Sequence, residues 1–185
     1  MGKCKFLREE IYIPHKKITL NFSTHSNEDG VMFYNSILSN RSKKISIKDV
    51  VMTINSINLV KEKTIYNDVI TFKTLSPIVV REHSGENKST WYHSLKDEKG
   101  QIIFKANLQH QLQDVFGSQV LYDCKDIKLF FSSSNREVKV KNYGIEVLGN
   151  IGRIQIEAKP YILEYLYKAG IGSKRGMGFG MVDID

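Results

Sequence analysis

Lys159-Pro160-Tyr161-Ile162-Leu163-Glu164-Tyr165-Leu166-Tyr167-Lys168-Ala169-Gly170-Ile171-Gly172-Ser173-Lys174-Arg175-Gly176-Met177-Gly178-Phe179-Gly180 carries the decision about the fold. Pro160 opens a helix at the one turn where a missing N–H costs nothing. The aromatic-rich run from Tyr161 to Ala169 continues it, Gly170 ends it, and a final strand runs from Phe179 to Ile184. A helix that leaves through five glycines into a closing strand completes an α+β unit, and the elements before it decide which one.

Ahead of this stretch, Val69 to Leu75 and Ile78 to Val80 read as two extended pieces broken at Pro77. A polar segment from Glu82 to Gly100 follows. Phe104, Leu108, Leu112 and Val115-Phe116 recur at helical spacing, and Gly117 stands where a helix cap belongs. Strands around Ile127–Phe131 and Lys139–Glu157 come next, the second long enough to bend at Gly149-Asn150 or Gly152. Residues 67–185 thus read as strand, helix, strand, strand, helix, strand, one ferredoxin-like βαββαβ domain with strand order 4-1-3-2. Residues 1–66 read as strands at 3–8 and 17–23, a helix from Val31 to Ser39 capped by side chains between Asn27 and Asp29, and a strand alternating through Ile45, Ile47, Val50, Ile54 and Ile57. That is the same unit without its opening strand and helix. The expected class is therefore α+β, two ferredoxin-like domains in tandem, the first incomplete at its N-terminus. The gap leaves two strands with unpaired inner edges, which a truncated start, a second chain or a rearranged sheet must satisfy.

Composition agrees with a folded, soluble protein. The chain has 185 residues, 41% hydrophobic and 25% charged, with three prolines, enough to bury a core without disulfides. No apolar run approaches the roughly 20 residues of a membrane span and no signal peptide opens the sequence, so a cytoplasmic address is expected. Cys4 and Cys124 lie far apart with no CxxC and read as reduced thiols. Lys and Arg number 27 against 20 Asp and Glu, a net charge of +7. Such a balance suits a polyanionic partner, since cationic side chains release the counterions condensed on nucleic acid. The basic residues cluster at Arg41, Lys43, Lys44 and Lys48, at Lys61 and Lys63, at Arg136, Lys139 and Lys141, and at Lys174-Arg175.

Three standard motifs compete for the glycine-rich segment. A dinucleotide fingerprint needs glycine where Arg175 stands and must run from strand to helix, whereas this loop runs from helix to strand. A nucleotide P-loop fails because no glycine lies five residues before a Lys-Ser or Lys-Thr pair. Arg175-Gly176-Met177-Gly178-Phe179 mimics an RNA-recognition-motif signature, but that signature lies on an internal strand. A loop whose amides are uncovered by glycine and flanked by two cations fits better, as a nest for a nucleic-acid backbone. Its candidate RNA-binding residues are Gly170, Gly172, Ser173, Lys174, Arg175, Gly176 and Gly178, with Arg81 and Lys88 as weaker additions. The competing reading is a tight turn whose glycines answer only to crowding.

The stretch from Lys159 to Ile184 resembles the carboxy-terminal motif of the CRISPR-associated endoribonucleases that cut precursor CRISPR RNA within its repeats, members of the RAMP superfamily. Phe72-Lys73-Thr74-Leu75-Ser76-Pro77-Ile78-Val79-Val80-Arg81 resembles that family's strand into its second domain, and Gly2-Lys3 with the following hairpin resembles the middle of its first. The resemblance covers nearly the whole chain and accounts for the half-unit, because relatives carry a further strand and helix at the amino terminus. It implies a reaction without metal or other cofactor, in which a ribose 2′-hydroxyl attacks the adjacent phosphate and leaves a 2′,3′-cyclic phosphate. It implies CRISPR repeat RNA as partner, with other CRISPR-associated proteins or a second copy of the chain as further ones.

In most relatives the catalytic histidine lies on or just after the first helix, so the resemblance maps no catalytic residue here. Among the five histidines, His15, His25 and His110 read as surface residues. His83 and His93 lie in the polar segment with Arg81, Lys88, Trp91 and Tyr92, an aromatic pair among cations suited to stacking on an unpaired base. No carboxylate cluster suggests a metal site; Glu9-Glu10 and Glu28-Asp29 read as solvated or capping residues. A non-catalytic RNA-binding subunit and a self-associating remnant are the alternatives.

Overall fold

In the computed structural model, which describes residues 5–6, 11–47, 49–83 and 90–185, the two halves of the chain differ sharply in how much they bury. The first holds β1 (Lys5–Phe6) paired with β2 (Ile11–Tyr12), helix α1 (Asn27–Ser39), and a hairpin of β3 (Lys44–Ile47) with β4 (Val50–Thr53). Helix α1 starts at Ser26, whose hydroxyl accepts the Asp29 amide at 3.1 Å, with Glu28 and Asp29 complementing the positive end of the helix. The cap is thus one residue earlier than the sequence suggests. Although Val31, Met32 and Leu38 recur along it, α1 buries none of its residues.

Two expected strands differ. Residues 17–23 alternate apolar and polar yet form no strand; none of the described residues pairs with them, and the Phe22 ring instead stacks on Phe33 of α1 at 3.7 Å between centroids. The run through Ile45 to Ile57 folds back on itself after Ile47 and leaves regular structure after Thr53. Among the described residues, the strands of this half lie in separate two-stranded pairs.

The second half is organised on β5 (Val69–Thr74). It is followed by β6 (Val80–His83), β7 (Thr90–His93), α2 (Glu98–Phe116), a short α3 (Val120–Cys124), β8 (Lys128–Phe131), β9 (Arg136–Asn142), β10 (Ile145–Ile151), β11 (Arg153–Glu157), α4 (Pro160–Ala169) and β12 (Val182–Ile184). Four strands form one antiparallel sheet in the order β12-β5-β11-β8. Counting only those four, the order is 4-1-3-2. Phe72 faces Ile154 across β5 and β11, and these two with Ile156 present one apolar face. Phe104, Leu108 and Leu112 of α2 and Ile162, Leu163 and Leu166 of α4 close over it in one cluster. Each such side chain removed from water contributes about 1.5–3 kcal/mol, and this is where the stability of the chain resides.

The expected long strand over 139–157 is three strands. Tyr143 and Gly144 both have positive φ, 50° and 82°, the two-residue turn that closes a β-hairpin, so β9 and β10 fold against each other. Gly152 then separates β10 from β11. The hairpin packs Val140 and Val147 onto a second, smaller cluster with Val79, Tyr92 and Phe179. The polar segment from Glu82 also holds a strand, β7, paired with β6.

The irregular stretch after β4 is tied to this half. Ile65 is buried in the main core, Lys63 donates to Asp183 Oδ1 at 2.9 Å and to the Ile184 carbonyl at 2.7 Å, and Glu62 pairs with Lys168 at 3.0 Å. Cys124 is buried, and that burial pushes its thiol above the ordinary cysteine range; Cys4 lies outside the described residues. No helix among the described residues is long and apolar enough to cross a membrane.

Candidate nucleic-acid interface

Helix α4 stops at Gly170, whose amide still reaches the Leu166 carbonyl at 3.0 Å while its φ of 79° turns the chain away. The loop that follows sits on the strand leading into β6. The Ser173 amide donates to the Val79 carbonyl at 2.8 Å, Gly180 donates to Pro77 at 2.9 Å, and Ile171 closes the base by donating to Gly180 at 2.8 Å. Final-strand pairing therefore begins at Val182 rather than at Phe179. At the tip, Lys174 is left-handed (φ 60°), Arg175–Met177 make a single 3₁₀ turn, and Met177 and Gly178 donate back to Lys174 and Arg175.

The glycines separate into two kinds. A Cβ on Gly180 would lie 2.1 Å from the Ile171 carbonyl oxygen, and one on Gly172 or Gly170 would meet the Val79 or Gly180 oxygen at 2.8 and 2.9 Å. Crowding dictates these three. Gly176 has neither a neighbour within 4 Å of such a carbon nor a positive φ, and it is exposed. Amides 170, 171, 173, 177, 178 and 180 are spent on internal carbonyls. Among the described residues, the amides of Gly172, Lys174, Arg175, Gly176 and Phe179 are not given to an internal carbonyl; Gly176 is exposed and Phe179 is buried.

The two cations diverge. Lys174 reaches over the ring of Tyr92 on β7, Nζ 5.8 Å from its centroid. Arg175 folds back on α4, its Nη1 donating to the Ala169 carbonyl at 3.2 Å and to the Tyr165 hydroxyl at 3.3 Å, a cationic cap on the helix's negative end. Ser173 contributes through its backbone, and Gly178 holds φ 87° at the end of the 3₁₀ turn.

Lys174 thereby joins the β6–β7 hairpin. Arg81 stands opposite Tyr92 in the register, Arg81 Nη2 approaches His83 Nδ1 at 3.4 Å, and the Arg81 carbonyl accepts from Asn107 of α2 at 2.9 Å. On the other face His93 Nε2 lies 2.6 Å from Glu82 Oε2 and Lys99 Nζ lies 3.0 Å from it. The Lys99 and His93 hydrogen bonds hold the Glu82 carboxyl below the ordinary glutamate range. Trp91, opposite Glu82, is 62% exposed. The hairpin is anchored by Asn150, 2% exposed, which exchanges backbone hydrogen bonds with Ile78 at 2.8 Å and accepts the Leu95 amide on Oδ1 at 3.0 Å. Lys88 lies outside the described residues. The loop and Arg81 are thus brought to one surface by the bridge between Val79 and Ser173.

Two features escape sequence reasoning. Tyr92 lies beneath Lys174, a contact set by strand register. His25 stands with its ring edge-on to Tyr165, centroids 4.9 Å apart, and 6.2 Å from Phe116; no local signal in its loop points to that contact. Arg175 was expected on phosphates and instead turns inward onto the end of α4.

A family model for the CRISPR associated protein Cas6, C-terminal, matches residues 60–184, a span that includes the glycine-rich loop. A Pyrococcus furiosus protein named as a CRISPR-associated endoribonuclease-like protein Cas6 is 30% identical over 148 residues, 78% of this chain and 59% of that protein. The chain therefore spans less than two thirds of that relative's length. The structure of a Cas6-related protein from Pyrococcus furiosus superposes with a TM-score of 0.84 at 26% identity, over 100% of this chain and 75% of the other. A RAMP protein that binds different RNA substrates shares the fold, with a TM-score of 0.78 at 21% identity over 100% of this chain and 75% of its own. With the match running from Val60 through the loop to Ile184, the chain belongs to the family of the CRISPR associated protein Cas6.

Proposed function

We propose that this chain binds CRISPR repeat RNA along the glycine-rich loop and cuts precursor CRISPR RNA within the repeat, with a ribose 2′-hydroxyl attacking the neighbouring phosphate and no metal in the step. The observation that carries the reading is the glycine-rich loop with exposed Gly176 and with amides 172 and 174–176 not given to internal carbonyls among the described residues, beside Lys174, whose ammonium stands over Tyr92 with Arg81 opposite. Amide N–H groups and a cation together neutralise phosphate charge, and Tyr92 with exposed Trp91 supplies ring surface for an unpaired base. Gly176 favours a ligand-facing role, because nothing internal requires glycine there. The architecture behind the site is two ferredoxin-like units in tandem, 1–66 and 67–185, the first partial, working in the cytoplasm. Incubation of the purified chain with end-labelled repeat RNA in EDTA tests the proposal. Products ending in a cyclic phosphate support it, binding without cleavage supports a non-catalytic RNA-binding subunit, and no binding refutes both.

A second reading, self-association, has its own support. Leu20, Leu59, Val60 and Met32 are 85%, 82%, 83% and 69% exposed, all in the first half. Pairing with a second copy would take these side chains out of water. A mass in solution equal to one chain at micromolar concentration argues against a homodimer.

A further inference from the structure

We propose that a second copy of this chain docks along β8, an outer strand of the four-stranded sheet, so that the sheet runs on across both molecules. This deepens the self-association reading above and moves its contact from the first half of the chain to the second. It does not depend on RNA recognition.

The two edges of the sheet are not alike. At one edge the Asp185 amide donates to the Thr71 carbonyl at 3.0 Å, which turns Asp183 toward β5 and leaves Val182 and Ile184 facing out. That edge is closed at Ile184. Its amide donates to Asp183 Oδ1 at 2.8 Å, and its carbonyl accepts Lys63 Nζ at 2.7 Å. At the other edge the Ser132 amide donates to the Arg153 carbonyl at 3.4 Å, so Lys128 and Phe130 bond to β11 while Leu129 and Phe131 turn their backbone groups outward. Among the described residues, no strand and no side chain takes up those groups. A bare edge of this kind is a template for another strand.

The side chains at this edge are apolar on both faces. On the face turned away from the helices, β11 shows Arg153, Gln155 and Glu157, yet Phe130 beside them is 50% exposed at the rim. On the helix side, a groove of about 370 Å³ between β8 and α2 is lined by Leu129, Phe131 and Ile102, the last 63% exposed. Burying such surface favours association.

The edge is also complementary to itself. With a two-fold axis at Phe130, Leu129 of each copy lies opposite Phe131 of the other, and the two exchange both backbone hydrogen bonds. Phe130 then meets Phe130 of the second copy in a non-hydrogen-bonded pair, where Cα atoms stand about 4.5 Å apart and side chains approach most closely. Lys128 faces Ser132 rather than another cation, and its ammonium is already held by Glu157 at 2.7 Å. The Leu129 and Phe131 side chains of the second copy fall on the helix side, beside the groove. Because the β12 edge is closed, no third copy adds there, and the assembly stops at two.

Sedimentation equilibrium across the micromolar range, run on the whole chain, tests the assignment with Phe130→Lys, Phe130→Glu and Val60→Lys. The wild-type chain is expected to show the mass of two chains. Phe130→Lys sets cation against cation across the axis, and Phe130→Glu sets anion against anion, so each alone weakens the dimer by about tenfold or more. Mixing these two variants restores the mass of two chains, which misfolded proteins would not do. Hydrogen exchange at the Leu129 and Phe131 amides is slow in the wild-type dimer and quickens in either Phe130 variant. Val60→Lys leaves the mass unchanged. A dimer that Val60→Lys breaks and Phe130→Lys spares overturns the β8 contact while leaving self-association standing. A single-chain mass for the wild type throughout the range overturns both.

Discussion

Replacing Gly180 and Gly176 by alanine, one at a time, separates the glycines that build the loop from those that face a ligand. At Gly180 the added carbon lands 2.1 Å from the Ile171 oxygen, and the φ of 75° disfavours any L side chain. The left-handed backbone alone costs roughly 1 kcal/mol. Relieving the clash opens the loop base and strains the bonds from Ile171 to Gly180 at 2.8 Å and from Gly180 to Pro77 at 2.9 Å, about 1 kcal/mol each. The sum is about 3 kcal/mol, and at roughly 2–4 °C per kcal/mol for a chain of this size the melting midpoint falls by about 6–12 °C. Gly176→Ala meets nothing within 4 Å and stays within about 0.5 kcal/mol of wild type. Circular-dichroism melts recorded side by side decide the matter. Equal midpoints for the two variants, or a fall confined to Gly176→Ala, would show that the loop is not seated on Pro77–Val79 as described.

Lys174→Ala is expected to leave the melting midpoint unchanged and to lower the salt-dependence slope of RNA binding by about one. Arg175→Ala is expected to melt earlier, by about 1.5 kcal/mol for the lost bonds from a charged donor; the opposite pattern in paired melting and titration data would exchange the two roles. Trp91→Ala should weaken binding of single-stranded repeat RNA by about 1–3 kcal/mol if a base stacks there, read by fluorescence anisotropy, and an unchanged affinity removes Trp91 from the interface. Glu82 is held below the ordinary glutamate range by Lys99 and His93, so its stabilisation is full above that range and is lost as pH falls through the depressed value. Trp91, the only tryptophan and the cross-strand neighbour of Glu82, reports this as an acid fluorescence transition that Glu82→Gln abolishes; a transition that persists in the variant belongs to another carboxylate.

Much of the second half was legible because its signals are local and agree with one another. Phe104, Leu108 and Leu112 recur at helical spacing, Pro160 and Gly170 bracket α4, and the observed helices match. The β9–β10 hairpin was missed because alternation continues through both arms, and only Tyr143-Gly144, with both φ values positive, marks the reversal. In the first half, alternation at 17–23 suggested a strand, but a strand needs a neighbour to exchange hydrogen bonds with, and sequence does not supply one. At the candidate site, Lys174 and the loop were readable from composition. That Arg175 turns inward, that Tyr92 lies under Lys174 and that His25 meets Tyr165 depend on packing between distant segments.

The order β12-β5-β11-β8 also bears on how the protein is made. Val182 and Ile184 pair with Thr74 and Phe72, so β12 emerges from the ribosome after every other strand of its sheet. Until then the outer edge of β5 is an open row of N–H and C=O groups, a template for pairing with a neighbouring nascent chain. The interval between the emergence of β5 and that of β12 therefore bears on how much of the product assembles correctly.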